Sequence, residues 1–244
     1  MKDSIQIGPV TLYHADAFDV LPDLAGVADL CVSDMPYKLT SGGRGEKDDG
    51  SMSGIFDADA YDNSFDLMAM VEWSSMIPPI YRALKPDTDA YFMCNDKNVL
   101  LCGGALVGAG FKFHNLLAWD KGAPTPNRWY MKNLEFTLYC WKGKARTITD
   151  AGSKQLWACN RPKLGLHPTE KPVSLMAHYI RNSSDFGDVV IDPFCGSGST
   201  LLAAASEGKR SIGIEIERMY FEAAKTRLEQ AQSEGLFSML EDAQ

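Results

Sequence analysis

Asp34-Met35-Pro36-Tyr37 sets a carboxylate, a proline with fixed φ and an aromatic ring within four consecutive positions. The apolar run from Val27 to Val32 before it reads as a buried parallel strand, so the acid should stand at a strand's carboxyl end. A second group lies far downstream, in Asp192-Pro193-Phe194-Cys195-Gly196-Ser197-Gly198-Ser199-Thr200. It follows the short apolar run Val189 to Ile191 and sets an acid and a glycine-rich turn between a strand and a helix. In an open α/β sheet, ligands bind outside the carboxyl ends of the strands. Alone, Asp-x-Pro-Tyr is an ordinary turn sequence. Beside the second segment it becomes half of a site.

Gly196 and Gly198 let the backbone turn sharply and approach a ligand closely. A phosphate-binding P-loop would need Gly-Lys-Ser/Thr, and Ser197-Gly198-Ser199-Thr200 has no lysine. The dinucleotide fingerprint Gly-x-Gly-x-x-Gly fails as well, because Leu201 fills its last glycine position. Glu215, in Gly213-Ile214-Glu215-Ile216-Glu217, lies about 20 residues past the loop, the spacing of an acid that holds ribose hydroxyls. Glu217 competes for that role but reads as a surface charge.

The elements that must position these residues alternate in type. Residues 5–13 read as one strand, followed by a short helix to Leu24 and the strand that delivers Asp34. Residues 38–62 are rich in Gly, Ser, Asp and Lys and poor in apolar residues, which suits a mobile surface loop acting as a lid. Asp62-Asn63-Ser64 can cap a helix that ends at Lys85-Pro86, and Pro78-Pro79 should kink or divide it. Strands are expected at 90–94, 111–119 and 134–141, with a helix at 99–107 between the first two. After an irregular stretch to Leu166, a helix covers 173–181. The last third then reads strand 189–191, helix 200–207, strand 212–216 and helix 220–230. Such alternation predicts an α/β doubly wound sheet, mostly parallel with an antiparallel edge strand, in a single domain spanning 1–244.

No apolar stretch approaches the ~18 residues of a membrane span, and the start Met1-Lys2-Asp3-Ser4 lacks a signal-peptide core. A cytoplasmic protein is expected, nucleoid-associated when bound to DNA. The 6 cysteines form no Cys-x-x-Cys pair and the 4 histidines do not cluster, so neither zinc nor disulfides are indicated. The net charge of -8 argues against indiscriminate nucleic-acid binding, yet residues 121–171 carry ten Lys and Arg against three Asp and Glu. That is +7 locally and leaves -15 elsewhere. A basic segment on an acidic body could be a focused phosphate contact or a solvated face. Residues 121–166 are therefore a candidate DNA-contact and target-recognition region, with Lys142, Lys144 and Arg146 as candidate phosphate ligands.

Taken together, these motifs resemble those of the DNA amino-methyltransferases that use S-adenosylmethionine. The catalytic motif precedes the cofactor motif, which is similar to the permuted beta class, of phage or restriction-modification type. The likeness extends to Phe111–Lys121 and Asn133–Tyr139, which look like the family's strands, and is weakest over 143–165. It implies double-stranded DNA as partner, a homodimer as one assembly, no metal, and methylation of the exocyclic amine of a flipped adenine. That amine's lone pair is delocalised into the ring, so it is a poor nucleophile. Two acceptors that take its N–H bonds, the Asp34 carboxylate and the Met35 carbonyl, would free the lone pair. Pro36 would hold that carbonyl, and Tyr37 would stack on the extruded base. The family carries proline where this chain has Met35, which keeps the carbonyl and loses rigidity.

The resemblance further implies that Asp192 accepts from the cofactor's ammonium, that Phe194 covers its apolar surface, and that Gly196, Ser197 and Gly198 form its turn. In Leu166-His167-Pro168-Thr169-Glu170-Lys171-Pro172, Thr169 and Lys171 would bond the methionine carboxylate or nearby backbone. The structural alternative there is a turn and helix start. Asp16 resembles the acid that contacts the cofactor's adenine, and an N-cap is its structural alternative. Asp34 favours adenine, because the family's cytosine-N4 enzymes usually carry Ser there. Rival readings are cytosine-N4 methylation, a catalytically silent DNA-binding relative, and methylation of a protein glutamine or RNA, which the motif order disfavours.

Overall fold

A computed structural model of the protein describes residues 3–36, 72–125, 130–159 and 170–237. Its strands are β1 (Asp3–Ile7), β2 (Val10–His14), β3 (Ala28–Ser33), β4 (Leu84–Cys94), β5 (Lys112–Thr125), β6 (Lys132–Lys142), β7 (Leu156–Ala158), β8 (Val189–Asp192) and β9 (Arg210–Glu215). Its helices are α1 (Ala17–Val20), α2 (Trp73–Ala83), α3 (Val99–Gly108), α4 (Val173–Ser183), α5 (Ser199–Ser206) and α6 (Arg218–Ser233), and a 3-10 turn spans Leu21–Leu24. The strands form one sheet in the order β1-β2-β9-β8-β3-β4-β6-β5-β7.

The centre of that sheet, β2-β9-β8-β3-β4, is parallel. Its innermost strands carry the sequences Ala-Asp-Leu-Cys-Val-Ser and Val-Val-Ile-Asp, which are buried almost throughout, as a strand covered on both faces requires. One face packs Cys31, Ile191 and Ile214 against α2 and α3. The other packs Leu30, Val32 and Val190 against α4 and α5. From β3 the chain crosses through α2 to β4 on one side, and from β8 through α5 to β9 on the other. The strand order therefore reverses between β3 and β8. At such a switch point the two crossovers diverge and leave a crevice at the carboxyl edge.

Several sequence expectations are corrected. Residues 5–13 are two antiparallel strands, because Gly8 takes φ +52° and Pro9 follows, closing a turn inside what alternation alone reads as continuous. The antiparallel edge strand is β1, paired with β2, and antiparallel pairing also joins β4, β6 and β5 on the other flank. Within the stretch read as irregular, β7 pairs parallel to β5, too short to show periodicity. α2 runs unbroken through Pro78 and Pro79, with Met76, Ile77 and Ile80 buried on either side of them. The lid at 38–62 and the proposed helix cap at Asp62-Asn63-Ser64 lie outside the described residues. Among the described residues, no helix is long and apolar enough to cross a membrane.

Candidate active site

Four adjacent parallel strands each end in an acid or deliver one within two residues. In spatial order these are Asp16 after β2, Glu215 closing β9, Asp192 closing β8 and Asp34 after β3. The crevice between β3 and β8 lies between the last two. Ser33 Oγ donates to Asp192 Oδ1 at 2.7 Å and ties the two strand ends together.

Asp34 continues the alternation of Leu30 and Val32 and so faces the α4 side. Its Oδ2 is ion-paired with Lys171, the residue preceding Pro172 and α4. Lys171 Nζ lies 3.4 Å from Glu135 Oε2 on β6, and Glu135 Oε1 lies 3.4 Å from Lys121 Nζ on β5. Oδ1 of Asp34 is buried and accepts no hydrogen bond among the described residues. Burial pushes the Asp34 carboxyl above its usual range, Lys171 opposes this, and Glu135 adds to it. Burial acts upward on Glu135 too, but Lys171 and Lys121 outweigh it and hold that carboxyl low.

Met35 is buried in the cluster that contains Trp73 and Met76. Packing thus restrains the turn where a proline ring would otherwise do so. Trp73 Nε1 donates to the Pro36 carbonyl at 3.1 Å and fixes the next peptide from α2. Tyr37 lies outside the described residues.

On the other side of the crevice, Asp192 is 3% exposed and accepts from Ser33 and from the Phe194 N–H at 3.2 Å. Burial raises its pKa to about 6, against the hydrogen bonds from Ser33, Thr200 and the Phe194 backbone. Phe194 is half-buried against the α2 side of the core. Gly196 adopts φ +51° and Gly198 φ +81°, conformations that L side chains resist. A Cβ on Gly198 would lie 3.2 Å from the Cβ of Ala224 in α6, whereas one on Gly196 would meet nothing within 4 Å. The Gly196 N–H donates to Glu215 Oε2 at 2.9 Å, and the Glu217 N–H donates to Glu215 Oε1 at 2.8 Å. Both carboxylate oxygens of Glu215 are thereby aimed by the backbone. Glu217 itself is exposed.

Ser197 is buried, and its carbonyl accepts from Arg227 Nη1 at 3.3 Å. Arg227 also lies 2.8 Å from Glu170, so α6 clamps the glycine turn to the segment before α4. Asp16 caps α1, accepting from the Phe18 N–H at 2.8 Å. Its structural role is real, and its place at the end of the acid row is kept with it. Thr169 lies outside the described residues. Lys171 is brought to Asp34 and Glu135.

Sequence reasoning missed Trp73, Lys121, Glu135, Glu170 and Arg227. Glu170 stood in a segment already singled out, between Thr169 and Lys171. The others carry no local signal.

Lys142, Lys144 and Arg146, the candidate phosphate ligands, lie at the far edge of the sheet. Strand β6 runs antiparallel to β4, with Phe136 opposite Cys94 and Lys142 opposite Thr88. Lys142 therefore sits at the amino edge of the parallel sheet, about 20 Å from the Asp34 edge at ~3.3 Å per residue. Its Nζ donates to the carbonyls of Tyr81 (2.8 Å) and Leu84 (2.6 Å) and covers the Tyr81 ring at 4.6 Å. Arg146 pairs with Asp185 at 3.1 Å. Lys144 is anchored at the same far edge, its N–H donating to Asp87 Oδ1 at 2.7 Å. The bases that cluster in sequence are dispersed in space, and several are paired there.

Comparison with known proteins agrees with this geometry. A family model described as DNA methylase (N6_N4_Mtase) matches residues 28–226, from the start of β3 into α6. The Type II methyltransferase M2.DpnII of Streptococcus pneumoniae is 31% identical over 240 residues, covering 89% of each chain. The crystal structure of the M1.HpyAVI–SAM complex superposes with a TM-score of 0.68 at 27% identity, covering 90% of this chain and 98% of that one. PvuII DNA methyltransferase, described as cytosine-N4-specific, shares the fold at a TM-score of 0.68 and 14% identity, over 98% and 97% of the two chains. With Asp34, Asp192, Glu215 and the glycine turn all inside the matched region, the chain belongs to the N6/N4 DNA methylase family.

Proposed function

We propose that this DNA methyltransferase uses S-adenosylmethionine to methylate the exocyclic N6 amine of a flipped adenine. The observation that carries the reading is Asp34 Oδ1, a buried acceptor without a partner among the described residues, beside the crevice. A buried carboxylate oxygen normally finds a donor, and an incoming amine N–H would supply one. The Met35 carbonyl would take the second N–H, its peptide held between a buried side chain and the Trp73–Pro36 hydrogen bond. Accepting both bonds draws the amine toward tetrahedral geometry and exposes its lone pair. The amine is out of reach within a stacked duplex, so the base must be extruded. From sequence alone, Tyr37 is the ring on which it would stack, worth ~1–3 kcal/mol.

S-adenosylmethionine supplies an activated methyl group when bound. The chain's residues fit it. Space is open beside Gly196, where a Cβ would meet no atom within 4 Å. Glu215 is oriented by two backbone N–H groups to accept from ribose hydroxyls, and Asp192 offers charge at the crevice. Ser197 and Gly198 shape the turn, Phe194 flanks it with apolar surface, and Asp16 at the end of the row is suited to the adenine. The M1.HpyAVI–SAM complex supports the same cofactor. The Type II designation of the pneumococcal relative supports a place in restriction-modification.

Incubation with tritiated S-adenosylmethionine and mixed-sequence duplex, followed by mass analysis of the nucleosides, tests the proposal. N6-methyladenine is expected. N4-methylcytosine would overturn the adenine assignment, and no transfer at all would favour a silent DNA-binding relative.

A further inference from the structure

The alternating chain Asp34–Lys171–Glu135–Lys121 crosses the carboxyl edge from β3 over β4 to β6 and β5. Lys171 is 5% exposed, Lys121 8%, Glu135 21% and Asp34 23%. Two carboxylates and two ammoniums thus lie in a largely desolvated row with no net charge. Removing one partner from such a row leaves an uncompensated charge.

We infer that Lys171, braced by Glu135, is a positioning residue for Asp34, keeping its carboxylate ionised and turned so that Oδ1 alone meets the substrate amine. This rests on the amine-methylation reading of the site. The acceptor role needs an ionised Asp34, because a protonated carboxyl would present a donor where an acceptor is required. Burial works against ionisation, and an adjacent cation is what restores it. Lys171 occupies Oδ2 and leaves Oδ1 without a partner, so the ion pair also selects which oxygen faces the crevice. Glu135 holds the ammonium from its other side, and Lys121 in turn holds Glu135. Among the described residues, the other groups that face Asp34 are Asp192 from β8, a like charge, and the Cys94 thiol from β4, whose pKa the hydrogen bond with Cys102 and burial push up. Lys171 is therefore the cation that decides the charge of Asp34.

Single-turnover methyl transfer measured across pH tests this, with cofactor affinity followed by calorimetry. Lys171→Met should slow transfer at neutral pH and move the acid limb of the rate profile upward by about 1–3 pH units. Affinity for S-adenosylmethionine should stay within about threefold, since an ion pair with Asp34 makes no cofactor contact. Lys171→Arg should restore the acid limb. Glu135→Gln should move it downward, because a like charge near Asp34 is removed. Shifts of opposite sign at the two positions are not produced by a general loosening of the fold.

The cofactor-free protein gives a second readout, the titration of the Asp34 carboxyl by carbon NMR, which should shift in the same two directions. If Lys171→Met does not fold, the Arg and Gln variants preserve volume and carry the test. An unmoved acid limb, or loss of cofactor affinity in step with rate, would overturn the inference while leaving an active wild type and its function intact. A wild type that transfers no methyl group would overturn the function and this inference with it.

Discussion

The two edges of the parallel sheet are built from similar residues to opposite ends. At the carboxyl edge, acids stand in a row, with an oxygen of Asp34 unpaired and space open beside Gly196 among the described residues. At the amino edge, Lys142, Arg146 and Lys85 are engaged with backbone carbonyls or carboxylates, Lys85 with Asp29 at 2.6 Å. One edge leaves polar capacity unspent at its centre, and the other consumes it. Charge read along the sequence marks the second as a basic surface, whereas in space Lys142 and Arg146 are already engaged there. A cluster of like charges in sequence is evidence of a surface only after its partners are known.

The largest expected effect lies at the carboxyl edge. Asp34→Ala removes the acceptor, and methyl transfer should fall by roughly 10²–10³ or more while cofactor affinity changes little. Comparable losses in rate and affinity would place Asp34 in the cofactor site instead. Gly196→Val comes next. A β-branched residue at φ +51° costs about 1–2 kcal/mol of backbone strain and fills the open space beside the turn. Cofactor should bind at least about tenfold more weakly, a factor worth ~1.4 kcal/mol. Unchanged calorimetric affinity in a folded variant would remove the glycine turn from the cofactor site.

The amino edge should respond differently. Alanine at Lys142, Lys144 and Arg146 together should leave DNA affinity and its salt slope intact, where true phosphate contacts would each flatten the log–log slope by about 0.9. The same variant should lose ~1–2 kcal/mol of stability through the carbonyl hydrogen bonds of Lys142. A flattened slope without loss of stability would reverse the assignment of the two edges.

The smallest effect is a pH dependence at Asp192. Its folded-state pKa of about 6 lies above the ordinary carboxyl value of ~3.9, so the folded chain holds that proton more tightly than the unfolded chain. Its contribution to stability is therefore greatest below about pH 4, declines between pH 4 and 6, and is level above that. Asp192→Asn should abolish this decline in denaturant midpoints taken across pH 4–7. An identical slope in both proteins would mean that Asp192 is not the group titrating.

Much of this was legible in the sequence because its signals are local. Short apolar runs announce β3 and β8, and the acids and glycines that follow them sit at the edge where such strands end. The positive φ of Gly196 and Gly198 was likewise implied by a strand-to-helix reversal. What escaped was decided by strand order. Asp34 and Lys171 lie 137 positions apart, and nothing in either segment says that β6 will bring Glu135 to the far side of the same ammonium. The partners of Lys171 and of Lys142 were illegible for that one reason: they are contributed by other strands. The turn at Gly8 was lost to a different cause, since Gly-Pro was weighed less than the alternation around it.

The Trp73–Pro36 hydrogen bond has a meaning for how this chain can change. The Trp73 indole N–H donates to the Pro36 carbonyl at 3.1 Å, so the connection between these two positions begins and ends at one place on the domain. The entropic term for joining the ends of a tether grows only with the logarithm of its length, so halving or doubling such a connection alters stability by about 0.6 kcal/mol. Insertions and deletions there are nearly neutral for the domain as long as that hydrogen bond is kept. Selection on the length of that connection can therefore act almost independently of selection on the Asp34 turn at its base.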